Sequence, residues 1–169
     1  MSTREEFIAT VTAFLAAEKT LAGIDLPPQW MPSRTRPELC IKIPIELGGV
    51  QYGQQLVVVA PSARADFSLS IVHGGGVVRL DFEPRSGGHR NTLLAHLDGL
   101  PGVVSGTHFH RWEYNTRFVE GDGRLEELKH AEELPAAVRS FDAALRYLCG
   151  ETNTTLPHGH RIELPGVLI

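Results

Sequence analysis

Near the start of the chain, Phe7, Ile8, Val11, Phe14 and Leu15 recur at helical spacing, and Ser2 followed by Glu5 has the form of a capping box. The pattern predicts an amphipathic helix running as far as Gly23. The proline-rich stretch DLPPQWMPSRTRPEL has no period and reads as an extended connection. The period then becomes two. Leu39, Ile41, Ile43, Ile45 and Leu47 alternate with Cys40, Lys42, Pro44 and Glu46, the signature of a strand with one buried face. Pro44, which has no N–H to give to a neighbour, suggests an edge strand. Gly48 and Gly49 mark a hairpin turn into the valine-rich QQLVVVA, and DFSLSIVH turns through GGG at Gly74 into VVRLDF.

After Phe82 the alternation stops. EPRSGGHRNTLLAHLDGLPGVVSG has turn residues at both ends and a brief apolar run at Leu93, Leu94 and Leu97, as expected of a long functional loop. THFHRWEY, residues 107–114, reads as one more strand. In GRLEELKHAEELP, Leu125, Leu128, Ala131 and Leu134 fall on one helical face. Val138, Phe141, Leu145 and Leu148 form the stripe of a last helix, with Pro135 in its first turn and an end at Gly150. The expected fold is a single α+β domain over residues 1–169: an N-terminal helix, an antiparallel sheet of about five strands, and C-terminal helices packed on one face.

Composition narrows the setting more than the fold. The formal net charge of −4 argues against a generic nucleic-acid coat but allows a local basic site. The cysteines, Cys40 and Cys149, match no metal or redox spacing and read as buried thiols of a reducing compartment. MSTREEFIAT has no apolar h-region, and no stretch is long and apolar enough for a membrane span. A cytoplasmic protein with no membrane partner is the expectation, and the oligomeric state stays open.

Candidate chemistry centres on residues 107–114. Along a strand, His108, His110, Trp112 and Tyr114 would share one side. Between Arg79 and Arg117 the chain carries five arginines, four acids and four histidines, so histidine protonation would make this span basic. Three readings follow. In the first, His108 and His110 are acid and base on a phosphodiester such as RNA. His89 assists, Arg79 and Arg90 bind phosphate, Asn91 and Arg117 bind the substrate beside them, and Trp112 or Tyr114 stacks on a base. That reading is of a metal-independent ribonuclease that needs no cofactor. In the second, His108 and His110 join His158 and His160 of PHGH as four imidazole ligands of a metal ion. The cupin pattern fits this poorly, since Glu113 comes one residue early. In the third, the patch is a hot spot for a protein partner, with Trp112, Tyr114 and Arg117 as anchors of a non-enzymatic inhibitor such as an antitoxin or anti-defence protein.

The runs VVRLDF, GHRN, GTHFHRWEY and ALRYLCGETN, over roughly residues 66–153, resemble a family of small uncharacterised proteins from bacteria, phages and mobile elements. The matching positions are Arg79 and Asp81 on a strand, His89 and Asn91 on a loop, His108, His110 and Tyr114 on a second strand, and Cys149 and Asn153 at a terminal helix. The loop is longer here, and PHGH has no counterpart in that pattern. The resemblance implies a mobile-element setting and groups the histidines as a set; a host or phage protein is the partner that the third reading expects. It implies no reaction.

Overall fold

The structure is a computed structural model and describes residues 3–24, 29–32, 38–61, 66–85 and 88–165. The chain opens with α1 (Arg4–Ala16), capped by a capping box of Thr3 and Glu6, one residue later than the Ser2–Glu5 pair suggested. Ser2 lies outside the described residues. The helix stops at Ala16 because Lys19–Leu21 is a strand, β1, and not a continuation toward Gly23. Strands β2 (Met31–Pro32), β3 (Glu38–Leu47), β4 (Val50–Pro61), β5 (Phe67–Val72) and β6 (Gly76–Phe82) follow. Parts of the proline-rich connection, residues 25–28 and 33–37, lie outside the described residues.

Beyond Phe82 come the short β7 (His89–Arg90), a 3-10 turn over Leu93–Asp98, β8 (Val103–Val104) and β9 (Thr107–His110). The chain then forms α2 (Trp112–Asn115), β10 (Glu132–Glu133), α3 (Phe141–Glu151) and β11 (Thr154–Thr155).

Among the described residues the main sheet has nine strands, more than the five expected. It runs β10-β9-β6-β5-β4-β3-β1-β11, with β2 also on β3. Every pairing in it is antiparallel except β1 with β11. The extra strands are two or three residues long, too short to show a period. Both glycine hairpins form: Leu47 pairs with Val50 across Gly48 and Gly49, each at positive φ, and Gly74 turns β5 into β6. Pro44 is not on an edge strand. It sits in β3, which has neighbours on both sides, at the register shift between Pro44 and Glu46.

Two expected elements are replaced. The strand of the histidines ends at His110, because Arg111 caps α2 and the backbone turns helical at Trp112. Residues 124–134 are not helical. Leu125, Leu128 and Ala131 are buried as the stripe implied, yet the backbone is irregular until β10 pairs with β9. The last helix starts at Phe141 behind the Ser140 cap, after a turn that contains Pro135, and it is the single C-terminal α-helix among the described residues.

One face of the sheet is apolar. Phe67, Leu69, Leu80 and Phe109 are buried there, and α3 lies on it, with Phe141 edge-on to Phe67 and Tyr147 edge-on to Phe109. Since side chains alternate, the residues between these on β6 and β9 point the other way. No helix among the described residues is long and apolar enough to cross a membrane.

Candidate metal centre

The antiparallel register sets Arg79 opposite His110 and Asp81 opposite His108. Four polar side chains from two adjacent strands therefore share a face, with Leu80 and Phe109 facing the core between them. The long loop brings a fifth. β7 pairs with β8, and Gly88 at φ +86° passes so close to Val104 that a Cβ there would come within 2.1 Å of the Val104 carbonyl oxygen. This close approach delivers His89, and the three imidazole rings stand 4.7–5.2 Å apart by centroid.

Each ring is oriented by a backbone carbonyl. His108 Nδ1 lies 2.9 Å from Ser105 O, His110 Nδ1 lies 3.0 Å from His130 O, and His89 Nε2 lies 3.0 Å from Lys129 O. A carbonyl oxygen only accepts, so these nitrogens carry the protons. In a neutral ring the other nitrogen then presents a lone pair: Nε2 of His108, Nε2 of His110 and Nδ1 of His89. The site is buried, with His110 at 0%, His108 at 5% and Asp81 at 7% exposure, while His89 is half-buried.

Asp81 Oδ2 lies 3.3 Å from His108 Nε2 and 3.4 Å from His110 Nε2. Two ligands of a tetrahedral ion with bonds of about 2.0–2.1 Å stand about 3.3–3.4 Å apart, so this carboxylate oxygen and these two nitrogens are spaced as ligands of one cation. One ligand atom each from His89, His108 and His110 lie within 4.8 Å of one another. Points so spaced are at most about 2.8 Å from a common centre, so sub-ångström shifts would bring all three nitrogens to bonding distance.

Arg79 borders the group. Its Nε donates to Asp81 Oδ2 at 2.7 Å and its Nη2 approaches His110 Nε2 at 3.1 Å. Burial opposes ionisation of Asp81, but the carboxyl is held below its ordinary range by hydrogen bonds from His108 and His110 where those rings carry a proton on Nε2, and by the charge of Arg79. Burial lowers His110 to about 4, against the pull of Asp81. His110 is thus neutral at neutral pH, and its Nε2 accepts from Arg79.

Behind the histidines, two buried asparagines hold the segment that supplies two of the three carbonyls. Asn115 Oδ1 accepts from the amides of Lys129 and His130, and its Nδ2 donates to Arg111 O and His130 O. Asn91 accepts from the Ala131 amide and donates to Ala131 O and Pro101 O. The His130 ring, fully buried, is tied to Thr92 Oγ1 at 2.7 Å and to Asp98 at 3.3 Å, and Asp98 is paired with Arg117. This array anchors the loop that carries His89. Outer partners of this kind fix the tautomer and aim of ligating imidazoles.

The site residues expected from sequence divide clearly. Arg79, His89, His108 and His110 come together. Asn91 is present as a backbone clamp, and Arg117 is bound to Asp98. Arg90 is exposed beside His89. Trp112 is not on the histidine face: it is 2% exposed, edge-on to Phe7, and donates from Nε1 to Thr12 Oγ1, so it has no free face for a base. Tyr114 lies 3.4 Å from Glu132, beside the ion pair of Glu132 with Arg111. His158 is exposed and His160 approaches Asp142 at 3.4 Å; neither belongs to the histidine cluster. Asp81, Asn115 and His130 were not singled out as site residues. Asp81 could have been found from the alternation that puts it on the face of Arg79, but the other two act through contacts distant in sequence.

Comparison with known protein families, curated proteins and solved structures finds no match to this chain.

Proposed function

We propose that this protein binds a divalent, zinc-type metal ion through His89, His108 and His110, with Asp81 completing the set, and that the loaded centre acts on phosphodiester ligands. The observation that carries the metal is the spacing of Asp81 Oδ2 from two Nε2 atoms whose rings have their protons committed to carbonyls. Lone pairs on a neutral ring repel a carboxylate at such distances, and a cation between them turns the repulsion into attraction. Nitrogen and oxygen donors of this number suit zinc and its first-row neighbours. Such an ion supplies Lewis acidity and a bound water of lowered pKa. The chain supplies orientation: the carbonyls of Ser105, Lys129 and His130 aim the rings, and the two asparagines hold that backbone. The test is calorimetric titration of Zn²⁺ into chelator-stripped protein. One ion per chain in wild type, with binding abolished in His108→Ala and His110→Ala, supports the reading. No binding, or binding indifferent to both substitutions, overturns it.

The contact of Arg79 with His110 favours a second reading, in which Arg79 is itself the cation and His108 and His110 work as acid and base on RNA without metal. The burial of His110 and its low pKa count against an acid role for that residue at neutral pH. RNA cleavage in the presence of EDTA separates the two readings: it proceeds under the second and stops under the first.

A further inference from the structure

Arg79 stands where two demands meet. Its guanidinium gives one hydrogen to Asp81 Oδ2 and directs another at His110 Nε2, atoms that the metal reading assigns to the ion. A nitrogen lone pair cannot serve an N–H and a metal at once. Arg79 is also the most exposed of the four strand residues, its side chain 36% exposed against 10% for Asp81, 6% for His108 and 0% for His110. The guanidinium can therefore move toward solvent, while the imidazoles, each tied to a carbonyl, cannot.

The neighbouring charges indicate what it would meet there. Lys129, whose carbonyl oxygen holds His89, is exposed with its ammonium over the Phe118 ring, and Arg90 follows His89 on β7 and takes the other side of that strand. Arg79 and Asp81 offset one another before any ion is counted. A divalent ion then leaves an excess of positive charge, which favours an anion of more than one charge with several acceptor oxygens. A guanidinium fork matches phosphate oxygens in a bidentate arrangement.

We infer that Arg79 is an exchangeable arm: metal entry displaces it from His110 Nε2, and the released guanidinium binds a phosphate-ester anion at the mouth of the metal centre. This rests on the metal reading above and adds the class of ligand and the residue that selects it. No bond is made or broken in the exchange. One hydrogen bond of Arg79 is replaced by another, to a phosphate oxygen.

The inference predicts opposite effects from one substitution. In Arg79→Ala, and in Arg79→Gln as a milder control of the same direction, a competing cation is removed, so Zn²⁺ should bind about 5–10-fold more tightly by calorimetry. The zinc-loaded variants should bind inorganic phosphate about 10-fold more weakly than zinc-loaded wild type. Thermal melts of each protein confirm that it is folded, and Arg79→Gln keeps a polar side chain if the alanine variant is unstable. p-Nitrophenyl phosphate and bis(p-nitrophenyl) phosphate, used as competitors, tell a monoester ligand from a diester. If Arg79 merely braces Asp81, zinc binding weakens in both variants, and the inference is wrong. It is equally wrong if phosphate affinity is unchanged while zinc still binds. If wild type binds no zinc at all, it is the metal reading that has failed, so the two failures are distinguishable.

Discussion

The chain carries two His-x-His pairs, and they have different fates. His108 and His110 lie on β9, where a period of two aims both rings at one side, next to Asp81 and Arg79 of β6. His158 and His160 flank Gly159 in a turn after β11, one exposed and the other beside Asp142 of α3. Equal spacing does not make equal sites. The first pair has its Nδ1 protons committed to fixed carbonyls and a third imidazole delivered by a loop. Among the described residues His158 has no carbonyl partner and the buried His160 Nδ1 has no hydrogen bond.

The largest expected effect breaks that comparison outright. His108→Ala or His110→Ala should weaken Zn²⁺ binding by well over about 100-fold, more than the loss of an outer-shell partner costs, whereas the double substitution His158→Ala, His160→Ala should leave it unchanged. Calorimetry on the three proteins is sufficient, and a loss caused by the second pair would reverse the assignment.

The next effect asks whether the carbonyls matter as claimed. Asn115→Ala frees the amides of Lys129 and His130 and loosens the carbonyl that orients His110. Zinc affinity should fall by about 10–100-fold, with a loss of stability of about 1–3 kcal/mol for the buried groups left unsatisfied. Unchanged zinc affinity in a destabilised protein would show that the clamp is only structural.

A smaller effect concerns the residue two places after the pair. Trp112→Phe keeps the ring packing against Phe7 and removes the hydrogen bond to Thr12. The expected cost is about 0.5–1.5 kcal/mol in chemical denaturation, with oligonucleotide affinity unaffected. Weakened binding would restore the stacking role expected from the sequence.

The fold was legible where periods were long. Alternation in residues 39–47 and 67–82 and the glycine turns located β3, β4, β5 and β6, and with them the positions of Arg79 and Asp81. The helical stripe at Phe141, Leu145 and Leu148 located α3. Alternation failed at Arg111, where four strand residues give way to a helix whose Asn115 bonds to a segment about 14 residues away. Helical spacing failed at residues 124–134, where the buried leucines of the stripe lie on an irregular backbone pinned by Asn91 and Asn115. Hydrogen bonds from side chains distant in sequence decided both segments, and no local pattern contains them. His89, His108 and His110 were legible as members of one set, but the convergence of His89 depends on the close pass of Gly88 against Val104.

A last effect extends the comparison to another buried polar group held by carbonyls. Lys19 is 1% exposed and donates to Leu15 O and Ala17 O at the end of α1. Burial lowers its pKa from 10.5 to about 8, with Cys149 acting in the opposite direction. The unfolded chain therefore binds more protons between those two values, so the cost of the buried ammonium is present below pH 8 and is relieved as pH rises toward 10.5. Wild type should gain stability relative to Lys19→Met across that window. A difference that is flat with pH would mean the ammonium is not penalised.

The central claim is that three imidazoles share one ion, and X-ray absorption at the zinc edge of the loaded protein measures this most directly. The account predicts a first shell of nitrogen and oxygen at about 2.0–2.1 Å with the outer-ring scattering of three histidines, falling to two in His89→Ala. A first shell with fewer than three imidazoles, or one that His89→Ala leaves unchanged, would contradict it.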